Sequence, residues 1–71
     1  MLKQKFDVGG MDCEHCVANV ERAVKELSGI SEVEVSLEEE SMVVDFDDAV
    51  VNIQAIIDAV VEAGYEAALA S

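Results

Sequence analysis

The segment 30–47, ISEVEVSLEEESMVVDFD, decides the fold because its apolar residues alternate with polar ones in two successive runs. The apolar members are Ile30, Val33, Val35 and Leu37 in the first run and Met42, Val44 and Phe46 in the second. Such alternation is typical of strands with one buried face. The turn at Glu39-Glu40-Ser41 makes the two strands antiparallel, and Asp47-Asp48 closes the second.

On each side of these two strands, the apolar residues repeat with the period of an α-helix. The first helix is predicted from about residue 14 to 27, ended by Gly29, and the second from about 52 to 63, capped by Asn52 and ended by Gly64. The apolar positions are Val17, Val20, Val24 and Leu27 in the first helix and Ile53, Ile56, Ile57, Val60 and Val61 in the second. Each set forms one stripe, so each helix should pack on the sheet through one face.

One strand is predicted at each end of the chain. Residues 2–8 alternate, with Gln4 as the one interruption on the apolar side, and Gly9-Gly10 ends the strand. Residues 65–70 form a short last strand. The resulting βαββαβ order, with right-handed crossovers, predicts an α+β ferredoxin-like sandwich: a four-stranded antiparallel sheet with both helices on one face. The other face meets water and carries Lys3, Glu32, Glu34 and Asp45.

The composition predicts one small domain spanning residues 1–71. Four Lys and Arg against 16 Asp and Glu give a formal net charge of −12, which argues against nucleic acid or anionic membrane as a partner. No apolar run approaches the roughly 20 residues of a membrane span, and the N-terminus lacks a signal peptide's apolar region. We therefore expect a soluble, cytoplasmic chain without direct membrane insertion.

The segment 10–16, GMDCEHC, contains the only two thiols, Cys13 and Cys16, at the start of the first helix. The helix N-terminus offers unpaired N–H groups and a positive dipole end, which favour thiolates. Two converging thiolates suit a soft ion of low coordination number, such as Cu(I), Ag(I) or Hg(II). A structural zinc site needs four ligands, and the only histidine, His15, lies inside the motif. A chance pair of cysteines and a thioredoxin-type redox disulfide are the remaining alternatives.

This segment resembles the GMxCxxC signature of the heavy-metal-associated domain, the module of copper chaperones, mercury-binding carriers and N-terminal domains of metal-pumping P-type ATPases. The likeness covers almost the whole chain, including Ser28-Gly29-Ile30, Phe46-Asp47 and Gly64-Tyr65. It implies that Cys13 and Cys16 bind the metal, that Met11 pins the loop in the core, and that Tyr65 approaches the site as in bacterial members. Plain core filling by Met11 and an ordinary strand-start role for Tyr65 are the alternatives.

Two neighbours of the cysteines bear on the choice of metal. A histidine directly before the second cysteine, here His15, resembles the motif of bacterial copper chaperones. We expect His15 to face solvent, with the option of ligating copper that two molecules share. Asp12 departs from the Thr, Ser, Asn or His of copper members and resembles the GMDCxxC form of zinc- and lead-pumping ATPase domains. Its carboxylate favours Zn(II) or Cd(II), although Asp12 is equally a plausible N-cap. Cu(I) ranks first, then Zn(II), Cd(II) or Pb(II), then Hg(II).

The predicted function is a Cu(I) metallochaperone, not an enzyme, that passes the ion to a metal-transporting P-type ATPase or a similar CxxC protein by thiolate exchange. The alternatives are a Zn/Cd/Pb- or Hg-binding domain, an excised N-terminal domain of a metal-exporting ATPase, and a thiol oxidoreductase. Met1 next to the first strand favours a free-standing chain. We expect a monomer, or a metal-bridged dimer, whose acidic surface either meets a basic docking face or only keeps the chain soluble.

Overall fold

A computed structural model describes residues 2–11 and 13–70 of the chain. The six elements follow the predicted order. They are β1 (Leu2–Gly9), α1 (Glu14–Lys25), β2 (Ile30–Ser36), β3 (Ser41–Phe46), α2 (Ile53–Glu62) and β4 (Glu66–Leu69). Neither helix is long and apolar enough to cross a lipid bilayer, a statement that covers the described residues.

The four strands form one sheet in the order β2-β3-β1-β4, and every neighbouring pair is antiparallel. Each helix connects two strands that are separated by a third, β1 to β2 across β3 and β3 to β4 across β1. Crossovers of this kind place both helices on the same face of the sheet. The predicted ferredoxin-like α+β sandwich is confirmed.

The core lies between the sheet and the two helices. Its buried side chains are Phe6, Val8, Met11, Val20, Val24, Val33, Met42, Val44, Phe46, Val51, Ile56 and Val60. The alternating residues of β1 and β3 thus point inward as predicted. The opposite face is polar: Lys3, Glu32, Glu34 and Asp45 surround a shallow pocket of about 50 Å³ there.

The second helix begins as the sequence predicts. Asn52 occupies the N-cap in extended conformation, and its side-chain oxygen accepts a hydrogen bond from the backbone N–H of Ala55 at 2.8 Å. At the other end, Gly64 adopts φ = +100°, and the backbone N–H of Tyr65 donates to the carbonyl of Val60 at 3.2 Å. These bonds fix where the chain leaves α2 and turns toward β4.

Some predicted boundaries are wrong by a few residues. The first helix ends at Lys25, because Leu27 N–H donates to the carbonyl of Val24, three residues back, and the turn tightens. Ser41 is the first residue of β3 and not part of the turn, since it pairs with both neighbouring strands and is buried. The last strand starts at Glu66 because Tyr65 is bonded to the end of α2.

Val61 is also misassigned, because it is 53% exposed although the sequence pattern places it in the apolar stripe of α2. Val60 is fully buried. Successive residues of an α-helix differ by about 100° around its axis, so the residue after Val60 turns away from the core.

Gly29 is the glycine whose replacement should cost most stability. Its φ is +85°, and a Cβ there would lie 2.8 Å from the Cβ of Val50. The backbone fixes the Cβ of Val50, so side-chain rotation cannot relieve this contact. Gly64 has a similar φ of +100° but open space around it. We predict that Gly64→Ala lowers the free energy of unfolding by about 1–2 kcal/mol through backbone strain. Gly29→Ala should cost at least about 1 kcal/mol more because it adds overpacking. Urea unfolding of both variants checks this, and equal losses would contradict it.

Candidate metal centre

The loop between β1 and α1 is held at one point in the core. After Gly9 the chain passes through Gly10 at φ = +89°, a conformation that glycine adopts without strain. Met11 then turns inward and is only 4% exposed, packed within the main apolar cluster. The loop is therefore fixed to the core just before the first cysteine.

Cys13 starts the first helix. It is the N-cap residue, with φ = −159° and ψ = 175°, and its carbonyl accepts hydrogen bonds from the backbone N–H groups of Cys16 (3.0 Å) and Val17 (3.3 Å). Its side chain makes no capping bond, so the sulfur is not used to close the helix end. Asp12 lies outside the described residues. The cap position nevertheless belongs to Cys13, because the first helical hydrogen bonds close on its carbonyl, and this corrects the prediction of Asp12 as the N-cap.

The two sulfurs lie together at the surface. The Sγ atoms of Cys13 and Cys16 are 3.9 Å apart and are not joined by a disulfide bond. Cys13 is exposed, whereas Cys16 is half-buried in the first turn of α1. With metal–thiolate bonds of about 2.3 Å, the sulfurs need to separate by less than about 1 Å to lie on opposite sides of one ion.

Tyr65 reaches the pair from the segment between α2 and β4. Its hydroxyl is hydrogen-bonded to Cys16 and accepts a hydrogen bond from Asn19 Nδ2 at 3.3 Å. Its ring lies over the loop, with Cδ1 3.8 Å from where a Cβ on Gly10 would stand. The structure thus brings Tyr65 to the cysteines and next to the loop that Met11 pins.

The contact with Cys16 affects the ionisation of the phenol. The hydrogen bond to Cys16 is the largest cause that raises the pKa of Tyr65 above its usual 10.0, and charge repulsion from both cysteines acts in the same direction. The bond donated by Asn19 acts in the opposite direction. Tyr65 therefore stays protonated at neutral pH and serves Cys16 as a neutral donor.

His15 does not join the cysteines in a ligand cluster. Its side chain is exposed on α1. Among the described residues, which do not include Asp12, no group of three or more His, Cys, Asp or Glu side chains converges. Within that part of the chain, the donor set at the site is the two sulfurs.

Asn19 is the residue at the site that the sequence pattern did not single out. The helical period placed it only on the outer face of α1. The three-residue spacing from Cys16 could have indicated it, because a residue three positions after Cys16 lies on the same side of the helix. Its hydrogen-bond partner at the site, Tyr65, is 46 residues further along the chain.

The sequence pattern of the heavy-metal-associated domain matches residues 5–66, most of the chain. The chain belongs to the heavy-metal-associated domain family. Its sequence is 48% identical to the copper chaperone CopZ of Enterococcus hirae over 66 residues, which is 93% of this chain and 96% of that protein. The match therefore extends over nearly the full length of both chains.

Solved structures of this family superimpose closely on the fold. A copper-binding domain from HMA7, a P-type ATPase, gives a TM-score of 0.98 at 31% identity, covering 100% of this chain and 96% of that one. Oxidised MerP from Ralstonia metallidurans CH34 gives 0.95 at 33% identity, covering 99% and 97%. This chain thus shares its backbone fold with a copper-binding ATPase domain and with MerP.

The Tyr65–Cys16 contact can be tested in the metal-free protein. We predict that Cys16→Ala lowers the pKa of Tyr65 toward 10.0, because it removes the largest cause of the upward shift. Cys13→Ala is the matched control and should lower it less, because Cys13 acts only through charge repulsion. Tyrosinate absorbance as a function of pH measures both, since Tyr65 is the single tyrosine and tryptophan is absent from the sequence. Equal shifts in the two variants would contradict the contact.

Proposed function

We propose that this chain is a Cu(I) metallochaperone that binds one ion between Cys13 and Cys16. The observation that carries the proposal is the surface pair of sulfurs 3.9 Å apart, with no cluster of three or more His, Cys, Asp or Glu donors in residues 2–11 and 13–70. A two-sulfur site matches a soft ion that accepts low coordination, whereas structural zinc takes four ligands. The likeness to copper chaperone CopZ over nearly its full length supports copper as the cargo.

The proposed activity is transfer, and exposure of the site supports it. Cys13 is exposed, so a thiolate of another protein can reach an ion held there. The incoming sulfur joins the copper before a chaperone sulfur leaves, and the ion passes through a three-coordinate state. No bond of an organic substrate changes, so the chain acts as a carrier and not as an enzyme. A reducing cytoplasm keeps the thiols available.

A metal-transporting P-type ATPase with its own CxxC pair is the proposed receiver. The likeness to the copper-binding domain of a P-type ATPase supports this, because giver and receiver would then present similar sulfur pairs on similar loops. The ion would pass between two chemically equivalent sites. Such an exchange needs little driving force and runs in the direction set by the transporter.

The metal assignment is tested by anaerobic titration of the reduced protein with Cu(I), Zn(II) and Hg(II) against competing chelators. We predict one Cu(I) per chain, lost in Cys13→Ser and in Cys16→Ser, because a hydroxyl is a hard, weak ligand for a soft ion. His15→Ala is the matched control from the same turn and should keep the Cu(I) affinity. The Asp12→Ser variant tests the carboxylate. Tight zinc binding in the wild type that disappears in Asp12→Ser, with copper binding unchanged, would replace copper by zinc as the cargo.

The charge around the site predicts the chemistry of the partner's surface. Glu14 lies in the first turn of α1, beside the cysteines, whereas Arg22 and Lys25 lie in its last turn at the far end. Glu66 contributes a further carboxylate near Gly9, at the edge of the same loop. An acidic rim of this kind is complementary to a basic docking face on the transporter domain.

We therefore expect Cu(I) transfer to a basic receiving domain to slow as salt rises, because screening weakens attraction between exposed charges. Glu14→Gln should reduce the transfer rate and its salt dependence. Glu26→Gln, which removes the same charge from the opposite end of α1, is the control and should leave both nearly unchanged. Stopped-flow transfer at several ionic strengths makes the comparison. Rates insensitive to salt would argue that the acidic surface only keeps the protein soluble.

A further inference from the structure

Three groups form a continuous hydrogen-bonded line beside the proposed copper site. Asn19 Nδ2 donates to the Tyr65 hydroxyl at 3.3 Å, and that hydroxyl is hydrogen-bonded to Cys16. Asn19 and Cys16 lie three residues apart on α1, so they face the same side of the helix. The phenol of Tyr65 is thereby held between an amide and a sulfur that share one rigid element.

Tyr65 needs such a hold because its own backbone is not part of a helix or strand. It stands between α2 and β4, directly after Gly64 at φ = +100°. Its ring lies over Gly10 and packs against the edge of the apolar core, whereas its hydroxyl extends toward α1. The Asn19 amide is thus a specific contact at the far end of the phenol. A donor to the phenolic oxygen also strengthens the bond that the same hydroxyl donates onward.

We infer that Asn19 is a positioning residue, which holds the Tyr65 hydroxyl on Cys16 and thereby slows the loss of Cu(I) from the cysteine pair. The inference rests on the proposed function, because it concerns the retention of the ion that Cys13 and Cys16 would bind. The Tyr65 hydroxyl, kept at Cys16 by the Asn19 amide, obstructs an entering ligand on that side of the sulfur pair.

The test measures how fast bathocuproine disulfonate removes Cu(I) from the loaded protein. Asn19→Ala should release copper about two- to fivefold faster than the wild type, the effect expected from one exposed hydrogen bond. Gln54→Ala is the matched control, since Gln54 is also a helix-surface amide that donates one bond, to Asp58 at 2.9 Å, but lies on α2. It should release copper at the wild-type rate.

A second mutation shows whether Asn19 acts through Tyr65. Tyr65→Phe removes the hydroxyl, so adding Asn19→Ala in that background should change the release rate no further. Tyrosine fluorescence of the metal-free protein gives an independent readout, because Tyr65 is the only tyrosine in a chain without tryptophan. Asn19→Ala should raise the emission as the ring moves away from the sulfur, and Gln54→Ala should not.

The outcomes separate this inference from the function on which it rests. The positioning role would be overturned if Asn19→Ala released Cu(I) at the wild-type rate. It would also be overturned if Asn19→Ala accelerated release in the Tyr65→Phe background as much as it does in the wild type. Either result would leave the copper site intact. A wild-type protein that fails to take up Cu(I) at all would overturn the proposed function, and the retention role with it.

Discussion

The buried side chain of Met11 is the constraint on which the geometry of the proposed metal site depends. It ties the loop after β1 to the core, a cluster to which the sheet and both helices contribute side chains. Cys13 follows two residues later and opens α1, so its position is set by the core on one side and by the helix on the other. A pair of thiols at the surface of a 71-residue chain, one exposed and one half-buried, can therefore keep a defined geometry.

The site combines a fixed position with few ligands. Cys13 offers an open path to another protein, whereas half-buried Cys16 is supported by the phenol of Tyr65. The two sulfurs thus differ in their surroundings although they belong to one motif. The proposed two-thiolate site would hold a soft ion and still let a third thiolate enter, which four protein ligands would prevent.

Local patterns predicted most of the fold. The alternation of the strands, the apolar stripe of each helix and the handedness of the crossovers sufficed for the topology, because the period of apolar residues is a direct consequence of which face each element buries. The boundaries failed where pairing or capping decided them. Ser41 joined β3 through bonds to strands on both sides, and Cys13 took the cap position through its carbonyl.

The cysteine pair was predictable from its local spacing, whereas the approach of Tyr65 was implied only by the family resemblance. Cys13 and Cys16 stand close in sequence, and their spacing at a helix start brings the sulfurs together. The support of Cys16 comes from Tyr65 and, through it, Asn19, which are 46 residues apart along the chain. No period or spacing connects such positions, because only the packing of α2 against α1 brings the segment after α2 to the side of α1 that carries Cys16 and Asn19.

X-ray absorption at the copper edge of the Cu(I)-loaded chain tests the central claim most directly, because it counts and identifies the atoms bound to the ion. The account predicts two sulfur neighbours and no nitrogen or oxygen at bonding distance. A shell that contains an oxygen or nitrogen ligand in the monomeric protein would contradict it, since the ion would then be held by more than the two thiolates of Cys13 and Cys16.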